Sequence, residues 1–381
     1  MNENIQSNLL RLRILNDKTQ EKIAEDAGIS LLTYRNIESG KSMPNIDTLT
    51  KLANVFNVRI EDFFKECNKI EAVRFRAVNE KNIKKREEII YIVSSWLENF
   101  NNLVNKLNEN DNYRYKLEDI EGSTLDPKEM ANKVRAKFDI KNEPIRDICG
   151  LLEFRAGIKL YAREFNSDNF FGLSLKDSNN NRVVVVNTWD RISVERRIFS
   201  VAHELGHILL HLNSFNSDLT FEDPQEEKEA DTFASYLLMP ENEFLQEWQK
   251  ADNCDFVDRV IKVKQIFRVS YKVVLYRLNE LIKLQKPNYN IWPIFYREYS
   301  KKYNTKLSKK DEMYSLNVNS KELQALSNNI YFGRGIASLV KKAYMQKLLS
   351  IEKCAEILDK TKDEMKYLIN TWDLEYNIPF N

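Results

Sequence analysis

Ser200-Val201-Ala202-His203-Glu204-Leu205-Gly206-His207-Ile208-Leu209-Leu210-His211 contains every histidine of a 381-residue chain that has only three. Helical residues four apart share a face, so His203 and His207 can offer two imidazoles to one metal ion. Glu204, beside them, is placed to take a proton from an attacking water and return it to a leaving amine. Zinc in such a site supplies Lewis acidity and lowers the pKa of water. With so few histidines in the chain, chance is a poor account of this spacing. A catalytic zinc takes three protein ligands and keeps one position open, so one more is needed. On an unbroken helix His211 stands two turns from His203, too far to share a tetrahedral site. A packing or hydrogen-bonding role suits it better.

The missing ligand is sought downstream, in Glu226-Glu227-Lys228-Glu229-Ala230-Asp231-Thr232-Phe233-Ala234. Phe233, Ala234, Leu237 and Leu238 mark the buried face of a second helix that Pro240 ends. Glu227 and Asp231 lie four apart on one side of it. Glu227 is therefore expected to bind the metal, with Asp231 accepting the remaining ring N–H of a ligand histidine. Glu229 points elsewhere and is the alternative ligand. Glu226 reads as solvated.

Arg196 through His211, Glu229-Ala230-Asp231-Thr232-Phe233-Ala234 and Leu237-Leu238-Met239-Pro240 together resemble the ImmA/IrrE metallopeptidase family. Val184-Val185-Val186-Asn187 fits the family's strand before the motif. The resemblance spans about residues 127–284 and matches at His203, Glu204 and His207. It implies a thermolysin-like (gluzincin) core, zinc, and cleavage of a repressor in response to DNA damage or another stress. Oxyanion stabilisation needs a further donor. Tyr236, Tyr271, Tyr276 and Arg277 lie on the helices that follow, and with 17 tyrosines in the chain ordinary packing is the default for each.

At the other end, residues 5–66 read as five short helices. Thr19 opens one, Gly28 closes it, Ser30 caps the next and Gly40 ends that. Pro44 leads into a fourth, where Leu49, Leu52, Ala53 and Phe56 recur at helical spacing. Thr19-Gln20-Glu21-Lys22-Ile23-Ala24 through Gly40, extending to Phe64, resembles the Cro/repressor-type helix-turn-helix family. The resemblance implies a recognition helix in the major groove, with Ser30, Leu31, Thr33, Tyr34 and Asn36 toward base edges. Gln20 is expected on a phosphate, and Arg35 and Lys41 as positioning contacts. Glu38 and Asp26 near that surface would oppose phosphates. A helical dimerisation or antitoxin-like domain without DNA binding is the rival reading. Such domains usually act as dimers, so a homodimer is expected.

Between these blocks, residues 67–126 read as a helical linker. Ile89, Ile92, Val93, Trp96, Leu97 and Phe100 form one stripe, and an Asn-rich joint follows over 101–115. From 127 two helices precede three strands, around Ile158–Tyr161, Phe171–Leu175 and Arg182–Asn187. The resulting expectation is a multi-domain chain. An all-α helix-turn-helix domain (1–66) and the linker precede an α+β gluzincin-like metallopeptidase domain (127–285). A helical C-terminal region (286–381) follows, with lysine pairs at 301–302 and 309–310.

Composition bounds the rest. A hydrophobic fraction of 43% supports folded cores, and 58 Lys and Arg against 57 Asp and Glu give no bulk pull toward nucleic acid or membrane. Cys67, Cys149, Cys254 and Cys354 are too scattered for a zinc ribbon and read as reduced thiols. Neither a signal peptide nor a membrane-spanning run is apparent, so a cytoplasmic location is expected. The function expected is a DNA-binding regulator with zinc-dependent endopeptidase activity. Its partners are operator DNA and a regulatory protein, such as a repressor, or the chain itself cut within the linker. The rival is a non-proteolytic repressor or antitoxin that uses a peptidase-like fold as a sensor.

Overall fold

A computed structural model describes residues 2–16, 18–64, 72–77, 83–108, 117, 119–120, 126–167, 170–177, 180–212, 223–304, 326 and 334–376. The chain forms two compact units. One comprises Met1–Ile70, Lys81–Glu109 and Leu339–Asn381, the other Glu71–Glu80 and Asn110–Ser338. An all-α helix-turn-helix domain is followed by a mixed α/β region with a small sheet, and the C-terminal region is helical.

In the first unit, helices Asn2–Leu15, Gln20–Asp26, Leu31–Glu38 and Ile46–Phe56 precede a 3-10 turn, Ile60–Phe63. Their starts follow from local chemistry. The side chains of Thr19, Ser30 and Asn45 accept from the backbone N–H of Lys22, Thr33 and Thr48, quenching a donor left open by the first turn. Ile5, Leu9, Ile23, Tyr34, Leu52 and Phe63 close one core. Helix Ile83–Leu107 packs on the first helix and places Arg11 3.6 Å from Glu98. Near the C-terminus, helices Ile351–Ile357 and Lys362–Tyr376 pack together, burying Cys354, Met365 and Trp372.

The second unit is built on a four-stranded sheet, β1 (Ala72–Ala77), β2 (Lys159–Arg163), β3 (Phe170–Lys176) and β4 (Arg182–Asn187), in the order β1-β3-β4-β2. β3 pairs antiparallel with both β1 and β4, and β2 pairs parallel with β4. Val183 to Val186 of β4 are all fully buried, so both faces of that strand are covered. One cover is the helix Val194–Leu210, which carries the histidine motif and packs on β3 and β4. Ser193 caps it, accepting from Arg196 N–H. Helix Pro224–Leu238, started by Asp223 as cap and Pro224 in the first turn, packs against the motif helix. The core continues beyond residue 285, since Phe295 on helix Trp292–Tyr303 is fully buried in it.

Three expectations from the sequence are corrected by the structure. Residues 67–126 are not wholly helical, because Ala72–Ala77 pairs with β3. The second of the two helices expected between residue 127 and the strands is a short α segment, Ile148–Gly150, running into a π turn, Leu151–Arg155. Of the joint expected over 101–115, residues up to Leu107 continue a helix. Residues 109–116 lie outside the described residues, as do Cys67 and the lysine pair at 309–310. Cys149, Cys254 and Cys354 are free thiols. Among the described residues no helix is long and apolar enough to cross a membrane.

Candidate metal centre and nucleic-acid interface

The motif helix is buried along almost its whole length, and His203, Glu204 and His207 have at most 1% of their surface exposed. Glycine makes its approach to the acidic helix possible. A Cβ on Gly206 would stand 2.9 Å from Phe233 Cδ1 and 3.3 Å from Ala230 Cα. The closeness brings Glu227 to the histidines. His203 Nε2 and His207 Nε2 are 2.8 Å apart, and they lie 3.3 and 3.0 Å from the two carboxylate oxygens of Glu227. Among the described residues this trio is the group of histidine, cysteine and acidic side chains that could hold a metal ion. Tetrahedral zinc with bonds of about 2.0–2.1 Å sets its ligand atoms about 3.3 Å apart. The two ring nitrogens are half an ångström closer than that and each faces a different Glu227 oxygen, so the donor set matches such an ion in chemistry and lies near it in size.

The surrounding polar atoms hold these rings in place. His203 Nδ1 lies 2.8 Å from Asp231 Oδ1. His207 Nδ1 lies 3.0 Å from His211 Nδ1, and His211 Nε2 lies 3.0 Å from Glu229 Oε2. Burial pushes the Glu227 carboxyl up, but the hydrogen bonds and charge of His203 and His207 together outweigh it and hold the group well below the ordinary range. The His211 hydrogen bond likewise lowers Glu229 against the opposing effect of burial.

Glu204 points to the sheet side of the site, where Ser174 Oγ donates to its Oε2 at 2.8 Å. Gly172, also on β3, leaves room for it, since a Cβ there would meet Glu204 Oε1 at 3.2 Å and Val185 O at 2.9 Å. Neither Ser174 nor Gly172 was expected from sequence. A strand residue whose partner lies 30 positions on leaves no local signal. Of the four candidate oxyanion donors, three are committed to packing. Tyr236 donates to Glu280 at 3.1 Å, Tyr271 stacks on Phe295, and Arg277 is fully buried with Nη1 donating to Met239 O at 2.8 Å. Tyr276 is 48% exposed.

In the first unit the candidate recognition helix Leu31–Glu38 turns a mixed face outward. Leu32 and Thr33 are exposed, Arg35 is exposed, and Asn36 is half-buried. Ser30 is exposed, its Oγ serving as the helix cap and lying 2.7 Å from Thr33 Oγ1. Tyr34 is corrected as a base contact. It lies one turn from both Leu31 and Ile37, on the inward face, and is fully buried with its hydroxyl donating to Glu38 at 3.0 Å. Leu31 is corrected as well, because it packs against the core while Leu32 faces out. Gln20 is half-buried; its amide donates to Glu38 and its oxygen accepts from Arg35 Nε at 3.2 Å. Arg35 also donates to Glu21 at 2.7 Å. The two acids expected to oppose phosphates are paired, Glu38 with Arg13 at 2.7 Å and Asp26 with Lys18 and Lys22 at 2.8 and 3.2 Å.

Residues 9–63 match the family described as helix-turn-helix. An uncharacterized HTH-type transcriptional regulator of Methanocaldococcus jannaschii is 42% identical over 52 residues, covering 14% of this chain and 79% of that protein. The chain belongs to the helix-turn-helix transcriptional regulators. The regulator is also similar to the cryptic phage CTXphi transcriptional repressor RstR of Vibrio cholerae, 26% identical over 97 residues, 24% of this chain and 87% of the repressor. An uncharacterized HTH-type regulator of Archaeoglobus fulgidus is 44% identical over 46 residues, 12% of this chain and 66% of its own length. Residues 155–279 of the regulator match a peptidase family, as the IrrE N-terminal-like domain. That span contains the motif helix, the acidic helix and strands β2 to β4.

Proposed function

We propose that this regulator is a zinc-dependent endopeptidase joined to its own DNA-targeting domain, with the helix-turn-helix near 1–66 and a peptidase core that runs from about 127 past 285 and takes in strand Ala72–Ala77. His203, His207 and Glu227 would hold the zinc, which supplies Lewis acidity when bound. Glu204 serves as general base and then as general acid, its carboxylate steadied by the Ser174 hydroxyl. Asp231 orients the His203 ring by accepting at Nδ1. Gln20, Ser30, Thr33, Arg35 and Asn36 face the operator, Leu32 adding an apolar contact at a base edge. Regulators of this kind read two half-sites as homodimers. The protein substrate is a transcriptional repressor or similar regulator, and the setting is the cytoplasm.

The observation that carries this reading is the burial of Glu204 beside the converging His203, His207 and Glu227 donors. A purely structural metal site has no use for a buried carboxylate next to its ligands. Labelling of protein N-termini in cells expressing wild type or Glu204→Gln tests it. New termini from one or a few regulatory proteins should appear with wild type alone. Identical terminal profiles would leave the non-proteolytic regulator as the better account.

A further inference from the structure

The third histidine of the motif has a structural partner on each side of its ring, and the direction of every hydrogen bond follows from one requirement. Resting on the reading of His203, His207 and Glu227 as metal ligands, we propose that His211 and Glu229 form a relay that fixes the tautomer and orientation of His207.

His203 and His207 both turn Nε2 toward Glu227, so binding a cation there requires a lone pair on each Nε2 and a proton on each Nδ1. The Nδ1 proton of His203 meets a carboxylate directly, at Asp231. His207 has its Nδ1 3.0 Å from another imidazole nitrogen, His211 Nδ1. A donor facing there needs an acceptor, so His211 carries its lone pair on Nδ1 and its proton on Nε2. That proton points to Glu229 Oε2, 3.0 Å away. The other Glu229 oxygen accepts from Gln225 Nε2 at 2.7 Å. The chain of donors thus closes on a carboxylate, with no bond left to chance of direction.

Two features of the fold make the relay possible. His211 caps the end of the motif helix one turn after His207, its N–H still donating to His207 O at 2.9 Å, so the two rings stand on the same side. Gln225 and Glu229 are one turn apart on the acidic helix, so the end of the relay is anchored on the same element that supplies Glu227 and Asp231. The arrangement also separates the two acids that sequence left as alternative ligands. Glu227 faces the Nε2 pair, while Glu229 reaches His207 only through His211. His211 and Glu229 are positioning residues, acting on the metal through His207.

The test uses the full-length chain and zinc alone. Zinc affinity is measured by competition with a chromophoric chelator for wild type, His211→Ala, His211→Asn, Glu229→Ala, Glu229→Gln, the double alanine variant and Glu227→Ala. Loss of a partner that orients a ligand lowers affinity by about 10–100-fold. His211→Ala and Glu229→Ala should each fall in that range. Glu229→Gln keeps an acceptor for His211, and His211→Asn keeps one near Nδ1, so both should retain more affinity than the matching alanine. Because the two residues act in series, the double variant should bind no more weakly than His211→Ala, whereas independent structural losses would multiply. The chain has only three histidines, so histidine-selective ¹⁵N NMR of the zinc-loaded protein reads each tautomer directly. His207 should carry its proton on Nδ1 and His211 on Nε2. Wild-type affinity in His211→Ala, multiplicative loss in the double variant, or a proton on His211 Nδ1 would overturn the relay while leaving the ligand set intact. Failure of wild type to take up zinc, or undiminished affinity in Glu227→Ala, would overturn the ligand reading and the relay with it.

Discussion

Gly206 shows how one missing side chain can set the distance between two helices. Its hydrogen faces Phe233 on the acidic helix, and an added methyl would press to 2.9 Å from the ring. A buried phenyl has little freedom to yield, so the helices must part. Gly206→Ala is expected to cost about 1–3 kcal/mol in thermal unfolding, as overpacked cores do. It should also weaken zinc binding, although residue 206 is no ligand, because Glu227 is carried outward. Unchanged stability and zinc affinity would show that the helix contact does not govern the site. At this scale the sequence was legible where the signal is local. Four-residue spacing brought His203, His207, Glu227 and Asp231 forward; the first three converge in the fold and Asp231 lies against His203. Ser174 was not legible, since its partner Glu204 comes 30 residues later on another element. Tyr34 was misplaced because polar aromatic residues suit both a groove and a core, and only the phase of the helix decides between them.

Elements were read best where a cap and a stripe agree. Thr19 and Ser30 each begin a helix as their side-chain chemistry suggests, and each accepts a backbone N–H. Ser30 is the more informative of the two, since it caps the helix whose outer face carries Leu32, Thr33 and Arg35. Ser30→Ala should cost about 0.5–2 kcal/mol of helix-turn-helix stability. Operator affinity, measured at fixed salt, should fall with it. A stable variant that still loses operator binding would make Ser30 a base contact and not a cap. The strand Ala72–Ala77 escaped notice for a physical reason. Its alternation, Ala-Val-Arg-Phe-Arg-Ala, is short and flanked by charged residues, and its pairing with β3 bridges about a hundred residues of chain. Local propensity carries no information about such a partner.

Over the whole molecule, net charge was a poor guide to function. A balance of 58 basic and 57 acidic residues conceals a first unit in which Glu38 and Asp26 are neutralised by Arg13, Lys18 and Lys22. Residues 339–381 belong to the same compact unit as the helix-turn-helix, a grouping that helical periodicity alone could not foresee. The similar proteins, one named as a transcriptional repressor and two as HTH-type regulators, match at most 24% of the chain. The chemistry of the second unit therefore rests on its own residues. Zinc content of the purified full-length chain, by native mass spectrometry after equilibration with zinc, tests it most directly. One zinc per chain is predicted in wild type, Glu204→Gln and Glu229→Ala, and none in Glu227→Ala. A wild-type chain that takes up no zinc, or a Glu227→Ala chain that keeps its ion, would contradict the account.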